Sequence, residues 1–284
     1  MTWRTPSRSL DLAHHAQIMG ILNTTPDSFS DGGQFLNPDL ALAHAQNMIA
    51  QGADIIDVGG ESTRPGAPEV SIDDELARTI PVINAIKASL PDALISIDTS
   101  KAPVAEAALD AGAEIINDVT GLTGDPEMLP LAARTNAAVV IMHMQGNPRT
   151  MQQAPQYDDV VAEVRTFFKS QFQNATAAGI SPEAILFDPG IGFGKTLEHN
   201  LALLQNLPAL VVENRPLLLG VSRKSFIGKL LDSDHLDDRL WPTVALTSFA
   251  REQGDAVRVL RVHDVAPNAQ ALKMTEAILS AHTP

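Results

Sequence analysis

The feature of this sequence that most constrains its fold is a short apolar run that recurs eight times. Turn residues bound each run, and a longer segment of helical character, rich in Ala and Leu, separates it from the next. Short apolar runs of this kind are typical of buried strands. The eight runs are IMGILN (18–23), IIDVGG (55–60), LISIDT (94–99), IINDVT (115–120), VVIMHM (139–144), ILFDPG (185–190), LLLGVS (217–222) and VRVLRVHD (257–264).

The segments between the runs indicate how the strands are connected. Several of them close on a glycine just before the next run, at Gly52, Gly112 and Gly179, which is a helix C-terminal signal. Runs that are apolar almost throughout need cover on both faces, as parallel strands have. Eight such repeats in about 250 residues predict an α/β fold, a closed (β/α)8 TIM barrel rather than an open doubly wound sheet.

The chain shows no internal boundary. No linker, low-complexity segment or charge run divides it. We therefore expect a single domain over residues 1–284, with its core at about 18–280 and residues 1–17 at the periphery.

A polar side chain stands at the end of strand after strand. In a parallel barrel all carboxyl ends lie on one face, so these side chains are expected to converge there. Any one of them alone is an ordinary turn or cap residue, but so many together indicate a site. They are Asn23, Asp57, Asp98, Asn117, His143, Asp188, Ser222, and Arg261 with His263.

The charge balance narrows the choice of ligand. A net charge of −14 over 284 residues argues against nucleic acid or an anionic membrane as a partner. No apolar run approaches the ~18 residues needed to cross a bilayer. The absence of cysteine excludes thiolate metal sites and a cysteine nucleophile, and it fits a cytoplasmic protein. A small anionic substrate is compatible with this composition if positive charges are gathered locally.

Two loops have the character of functional lids. DVGGESTRPGAPEVS (57–71) follows the second predicted strand and is too long for a minimal turn. Its Arg64 could hold phosphate or carboxylate with paired donors, or it could be a solvated surface residue. The loop 24–33 is similar in composition, and its Phe29 could close over a bound ring.

The loop FDPGIGFGKT (187–196) invites comparison with a phosphate-binding loop but lacks the spacing of one. A Walker A loop needs glycine six residues before its lysine, and Pro189 stands there. We interpret the segment instead as a loop whose glycines, Gly190, Gly192 and Gly194, let a flat ligand approach the backbone.

The charged residues near this loop have different expected roles. Asp188 suits a two-pronged hydrogen bond with a guanidine-like edge, whereas Lys195 is expected to be a solvated surface residue. Lys224, in GVSRKSFIG (220–228), could be a Schiff-base nucleophile of the aldolase kind or a hydrogen-bond donor to a heterocycle carbonyl. Arg261 and His263 follow the eighth strand, where such barrels commonly hold phosphate.

Taken in order, the motifs of this chain closely resemble those of the dihydropteroate synthase family. They are MGILNTTPDSFSDGG, GADIIDVGGESTRPGA, ISIDTSK, AGAEIINDVTG, MHMQGNPRTMQ, DPGIGFGK, GVSRKSFIG and RVHDV, and together they span about residues 18–265. The resemblance implies a pterin-binding barrel that joins 6-hydroxymethyl-7,8-dihydropterin diphosphate to 4-aminobenzoate. The implied products, 7,8-dihydropteroate and diphosphate, belong to folate biosynthesis. Mg²⁺ and, commonly, a homodimer are implied as well.

The same resemblance implies roles for particular residues of this chain. The implied pterin ligands are Asp98, Asn117, Val119, Met142, Asp188, Lys224 and Arg261. Asn23, Arg64, Arg261 and His263 would serve the diphosphate, with Asn23 also on the magnesium. The implied aminobenzoate residues are Phe29, Thr63, Arg64, Pro65, Gly192, Phe193 and Ser222. Asp98, Lys224, Arg64 and His263 are the implied catalytic residues.

The chemistry favours one order of events. An aryl amine that carries an electron-withdrawing carboxylate is a weak nucleophile, so we expect diphosphate to leave first and the amine to capture a pterin carbocation. Two alternatives share the pterin pocket. A pterin-dependent methyltransferase has no need of diphosphate ligands or of the STRPG loop, and a non-catalytic paralogue should have lost Asn23, Phe29 or Arg64.

Overall fold

The predicted barrel is confirmed. The computed structural model describes residues 1–25, 37–63, 66–146, 151 and 154–281. Its strands are β1 (Thr2–Arg4), β2 (Ser9–Asp11), β3 (Gln17–Asn23), β4 (Ile55–Gly59), β5 (Leu94–Asp98), β6 (Ile115–Asp118), β7 (Ala138–Met142), β8 (Ile185–Asp188), β9 (Leu217–Leu219) and β10 (Val257–Val262). Strands β3 to β10 close into a barrel in chain order, each pair parallel, with β10 beside β3.

Helices surround the barrel. Nine α-helices lie in the described part of the chain: α1 (Pro38–Ala50), α2 (Ile72–Ser89), α3 (Ala102–Asp110), α4 (Met128–Thr135), α5 (Val160–Ala177), α6 (Leu197–Gln205), α7 (Ser225–Leu231), α8 (Leu240–Arg251) and α9 (Val265–Ser280). Short 3₁₀ helices span Pro182–Ala184, Leu207–Leu210 and Asp237–Arg239. None of the described helices is long and apolar enough to cross a membrane.

The sequence sets the ends of these helices. The side chain of Asn37 accepts hydrogen bonds from the first turn of α1, and Ser71 does the same for α2, which satisfies backbone donors that have no partner inside the helix. Beyond the helix ends, Gly52, Gly112 and Gly179 have φ of 102°, 107° and 102°. Glycine reaches this left-handed region at low cost, so the chain turns back to the next strand where the glycines predicted it.

Side chains alternate along each strand between two cores. The outward residues, such as Ile56 and Val58 of β4, pack with the helices. The inward residues at the amino end of the barrel form a second, wholly apolar core from Met19, Ile55, Leu94, Ile115, Ala138, Val140, Leu186, Leu218 and Val259. Because successive strand residues point to opposite faces, Asp57 and Gly59 share the inward face with Ile55.

The N-terminal segment closes the amino end of the barrel. Strands β1 and β2 pair antiparallel, and Trp3 and Leu12, both fully buried, join the inward apolar core. Trp3 Nε1 donates to Ala184 O at 3.0 Å, and Arg215 donates to Thr2 O at 2.8 Å. Residues 1–17, expected at the periphery, thus contribute to the core itself, and the polar strand ends lie at the opposite, carboxyl end.

Candidate active site

The polar residues of the strand ends form layers above the apolar core. One layer holds Asp57, Ser96, Asn117 and Arg261, each two residues after an inward apolar residue of its own strand. The strand register then sets neighbours at the rim: Asp98 lies beside Asn117, and Met142 beside Asp188. The predicted convergence of these side chains at one end is therefore observed.

Arg261 is the centre of a charged cluster. Its Nε donates to Asp57 Oδ2 at 2.6 Å, and its second guanidinium nitrogen donates to Asp98 Oδ2 at 2.6 Å. Asn117 Nδ2 donates to the same Asp57 oxygen at 3.1 Å. Two carboxylates thus fix the plane of one guanidinium, which leaves its remaining N–H donors for a ligand.

Burial and charge act in opposite directions on this cluster. Burial lowers the pKa of Arg261, but Asp57 and Asp98 more than offset this and raise it, so the guanidinium stays charged. Burial raises the pKa of Asp98 to about 7, against the pull of Arg261 and with the help of the neighbouring Asp57 charge. Burial is thus the main reason why Asp98 holds its proton more tightly than an ordinary aspartate, and the second carboxylate beside the single cation adds to the effect.

Asp188 and Lys224 form the second polar group. Asp188 Oδ1 accepts a hydrogen bond from Gly190 N at 2.7 Å. Lys224 Nζ donates to Ile191 O and lies 4.3 Å from the centroid of the Phe193 ring, a cation–π distance. Burial raises the pKa of Asp188 and lowers that of Lys224 to about 8, and the opposite charge of each group partly counteracts the effect on the other.

Ser222 orients His263 at the rim. The buried Ser222 Oγ accepts from His263 N at 3.1 Å and lies 3.0 Å from His263 Nδ1. In the tautomer with Nε2 protonated, the hydroxyl donates to Nδ1 and the Nε2–H is the ring's donor. These contacts bring together two residues with different predicted roles, since Ser222 was expected on the aminobenzoate side and His263 on the diphosphate.

The remaining predicted residues divide into two groups. Val119 and Met142 are buried at the ends of their strands, and Thr63 is half-buried at the end of a described range. Phe29, Arg64 and Pro65 lie outside the described residues, so their predicted roles stay predictions.

The expectation for Lys195 was wrong. This residue is 2% exposed, and its Nζ contacts His143 O at 3.2 Å, His143 Nδ1 at 3.1 Å and Phe193 O at 2.9 Å. Burial lowers its pKa to about 7 and lowers that of His143 to about 3, with the neighbouring lysine adding to the effect on the histidine. Backbone carbonyls supply most of these acceptors, so residue identities alone gave no signal for burial.

Two of the loop glycines that we expected to let a ligand approach also allow close packing between two loops. A Cβ on Gly190 (φ 65°) would lie 2.0 Å from His143 O, and one on Gly194 (φ 59°) would lie 2.4 Å from Gln145 O. The loop after β8 thus lies directly against the loop after β7. Gly192 differs, because its nearest neighbour is the Lys224 side chain.

Asp57 is a site residue whose partner the sequence did not reveal. It stood among the polar strand ends without an assigned role, yet it is fully buried and pairs with Arg261. Its inward orientation could be predicted, because Asp57 lies two residues after Ile55 and therefore on the inward face of its strand.

The described residues fit a magnesium ion in a limited way. No group of three or more His, Cys, Asp or Glu residues in the described ranges could hold a metal ion. Asn23, half-buried at the end of β3, offers an amide oxygen at the rim. Because Mg²⁺ is often held by one or two protein oxygens together with waters and substrate phosphates, this donor fits an ion that arrives with a diphosphate.

Comparison with known proteins gives a consistent result. The family model described as pterin binding enzyme matches residues 19–263. Dihydropteroate synthase of Escherichia coli strain K12 is 51% identical over 273 residues, which cover 96% of this chain and 95% of that protein. The Yersinia pestis dihydropteroate synthase in complex with a sulfonamide drug has a TM-score of 0.91 at 46% identity, covering 99% of this chain and 100% of that one. The Xanthomonas albilineans enzyme with 4-aminobenzoic acid has a TM-score of 0.90 at 42% identity, covering 100% and 99%.

Proposed function

The chain belongs to the dihydropteroate synthase family, and from that premise we propose how its residues carry out the reaction of a synthase in folate biosynthesis. The substrates are 6-hydroxymethyl-7,8-dihydropterin diphosphate and 4-aminobenzoate, and the products are 7,8-dihydropteroate and diphosphate. The observation that carries the proposal is the polar layer around Arg261, which stands directly above a closed apolar core. A flat, polar bicyclic ring entering at the carboxyl end would meet hydrogen-bonding groups and be stopped by the apolar layer beneath them.

The pterin ring lies among Asp98, Asn117, Asp188 and Lys224 in this proposal. Its amino-pyrimidinone edge presents neighbouring N–H donors, which a carboxylate accepts well, and Asp188 is the carboxylate that also contacts the β8 loop. Lys224 supplies a donor for the ring carbonyl. Val119 and Met142 contribute apolar walls, and Arg261, held in plane by Asp57 and Asp98, offers a surface on which the ring stacks.

The diphosphate is the leaving group, and its negative charge has to be stabilised by residues at the rim of the barrel. His263, oriented by Ser222, donates to it, together with the remaining N–H groups of Arg261 and with Asn23. The family resemblance adds Arg64. Mg²⁺, when held by Asn23 and the phosphate oxygens, would supply further positive charge to the leaving group.

Bond breaking precedes bond making in this proposal. The C–O bond between the pterin methylene and the diphosphate breaks with both electrons leaving on oxygen, and the ring system carries the resulting positive charge. The carboxylates of Asp98 and Asp188 stabilise that charge electrostatically. The amine nitrogen of 4-aminobenzoate then forms the new C–N bond and loses one proton to water or to the departing diphosphate. No residue forms a covalent bond to the substrate.

The aminobenzoate lies at the outer part of the mouth. Phe193, with Gly192 before it and Lys224 over its ring, provides a flat wall for the benzoate, and Ser222 provides a hydroxyl. Thr63 begins the second side of this subsite, and Phe29, Arg64 and Pro65 complete it by family resemblance.

Diphosphate release tests the proposal. The purified protein is given pterin diphosphate and Mg²⁺ with and without 4-aminobenzoate, and both diphosphate and dihydropteroate are measured. Release that the amine accelerates, with dihydropteroate in equal amount, is the expected result. Absence of release under both conditions would favour a non-catalytic pterin binder, and the relatives give no support to that alternative or to a methyltransferase.

The order of bond breaking needs a separate measurement. Pterin diphosphate labelled with ¹⁸O in the bridging C–O–P position should scramble the label into non-bridging oxygens while bound to the enzyme, because departure is reversible before the amine attacks. Turnover with no scrambling at limiting amine would instead indicate direct displacement.

Borohydride trapping would detect the Schiff base that the aldolase alternative for Lys224 requires. A homodimer and a cytoplasmic location stay predictions.

A further inference from the structure

Lys195 is a buried cation to which the proposed reaction assigns no role. A lysine is costly to bury without partners, and this one is 2% exposed. An amino group has three hydrogen-bonding positions in its charged form, and the three contacts of Lys195 Nζ are His143 O, His143 Nδ1 and Phe193 O, all at 2.9 to 3.2 Å. All three hydrogen-bonding positions of the amino group are therefore used by atoms of two loops, the one after β7 and the one after β8.

These two loops follow neighbouring strands of the barrel, β7 and β8, and both carry residues of the candidate site. His143 directly follows β7, whose last residue is Met142. Phe193 belongs to the loop that follows β8, whose last residue is Asp188. The glycine contacts at Gly190 and Gly194 show that the backbones of the two loops already touch, so the Lys195 amino group joins two surfaces in direct contact.

The β8 loop is supported at several further points. Tyr157 Oη donates to Gly194 O at 2.8 Å, and Gly192 N donates to Asn200 Oδ1 at 2.7 Å. On its inner side, the loop offers the Ile191 carbonyl to Lys224 and the Phe193 ring beneath the same ammonium group. Tyr157 and Asn200 bind the loop backbone from neighbouring segments, Lys195 binds it from within the loop, and Lys224 contacts Ile191 O and the Phe193 ring.

We propose that Lys195 is a positioning residue that ties the β7 and β8 loops together and thereby fixes the Phe193 ring for the uptake of 4-aminobenzoate. The proposal rests on the proposed function for the identity of the substrate. It does not require Lys195 to touch either substrate.

The contacts of Lys195 with the two loops do not require one particular protonation state of its amino group. The titratable groups that face Lys195 are His143, Asp188 and Lys224, and burial lowers the lysine pKa to about 7. The charged amine donates to all three acceptors. The neutral amine still donates to both carbonyls and accepts from a His143 ring protonated at Nδ1, so the same contacts persist with the direction of one hydrogen bond reversed.

The first test is a Lys195→Met variant, which keeps the length of the unbranched stem up to Cε and removes the amino group. The KM for 4-aminobenzoate should rise about tenfold, because the hydrogen bonds from the amino group are lost. The Kd for a pterin without the diphosphate should stay within about twofold, since the Asp98 and Asp188 carboxylates remain. Lys229→Met, which removes an exposed lysine from α7, is the matched control and should change neither constant.

Chemical rescue separates positioning from a packing defect. The chain has no cysteine, so Lys195→Cys, alkylated with 2-bromoethylamine in denaturant and refolded, regains an amine of nearly the original length at this position only. The rescued protein should recover the KM that the unalkylated variant lost. Failure of the amine to lower KM in a refolded, pterin-binding protein would overturn the proposal.

Amide hydrogen exchange tests the tie without reference to turnover. Lys195→Met should speed exchange in peptides covering residues 190–194 and 143–146 and leave the strands unchanged. Unchanged exchange in both loops, or a pterin Kd that weakens as much as the KM rises, would overturn the proposal. If the wild-type protein makes no product, the proposed function fails, and the exchange result alone decides the role of Lys195.

A second variant protects the test against misfolding. Tyr157→Phe removes only the hydroxyl that supports Gly194 O and should raise the KM for 4-aminobenzoate by a few-fold, again with little change in pterin Kd. If Lys195→Met does not fold, an unchanged KM in Tyr157→Phe would overturn the proposal.

Discussion

Replacing Asp188 with asparagine tests the pterin pocket at one atom. Asp188 Oδ1 accepts from Gly190 N at 2.7 Å, and in Asp188→Asn the amide oxygen has to keep that position, because an NH₂ group there would face another donor. The NH₂ group is then directed to the place of Oδ2. Gly220, directly after the neighbouring strand β9, leaves this place open, since even a Cβ built on it would lie 3.7 Å from Oδ2.

The size of the effect follows from this forced orientation. A hydrogen bond to a charged group contributes about 1.5–3 kcal/mol, and an amide that opposes a ligand N–H also leaves a buried donor without a partner. A loss of about 3 kcal/mol corresponds to a Kd weaker by about 150-fold. Folding should suffer little, because burial already disfavours the charged form of Asp188 and raises its pKa.

Isothermal titration with 6-hydroxymethylpterin is the appropriate assay, because this ligand lacks the diphosphate and its contacts at the rim. Glu198→Gln, which removes an exposed carboxylate from the first turn of α6, is the control and should bind as the wild type does. A Kd for Asp188→Asn within threefold of the wild type, about 0.6 kcal/mol, would refute the assignment of Asp188 to the pterin edge.

Three further predictions concern stability, each measured by urea denaturation. Trp3→Ala should lower the free energy of unfolding by about 3 kcal/mol and leave pterin affinity unchanged, because Trp3 lies at the opposite end of the barrel; a loss below 1 kcal/mol would contradict its place in the core. Arg261→Met should cost about 3 kcal/mol at pH 8, since Asp57 and Asp98 lose their cation, and part of this should return at pH 5 as Asp98, whose pKa is already raised, takes up a proton. In the wild type, the raised pKa of Asp98, about 7, means that the folded protein keeps a proton that the unfolded chain releases. Its contribution to stability is therefore full below pH 4 and is lost as pH rises to 7. Asp98→Asn should reduce the fall in stability between pH 5 and pH 7 by roughly 2 kcal/mol, and an unchanged slope would contradict the pKa assignment.

The barrel could be predicted from the sequence because its signals are local and repeated. Each strand needs apolar residues on both faces, so it appears as an uninterrupted run, and glycines such as Gly112 mark the return from the helix to the next strand. The period of two along a strand then places Asp57 and Asp98 on the inward face. Strand β9, paired over only Leu217–Leu219, shows the limit, since the predicted run extended three residues further.

The parts that could not be predicted depend on backbone atoms from distant segments. Lys195 resembles a loop lysine in sequence, and its burial follows from carbonyl groups of His143 and Phe193 that no residue pattern reveals. The N-terminal hairpin has strands of only three residues, TWR and SLD, too short for a periodic signal. The packing role of Gly190 could not be predicted for a related reason, because the atom that excludes a Cβ there belongs to another loop.

The hairpin that closes the amino end also constrains how the protein is made. Trp3 donates to Ala184 O, and Thr2 O accepts from Arg215, so these hairpin residues find their partners only after residues 184 and 215 have been synthesised. Until then Trp3 and Leu12 remain open to chaperones or to neighbouring nascent chains. The hairpin is thus synthesised well before it can reach its final place, and slow elongation before residue 184 should prolong the aggregation-prone period.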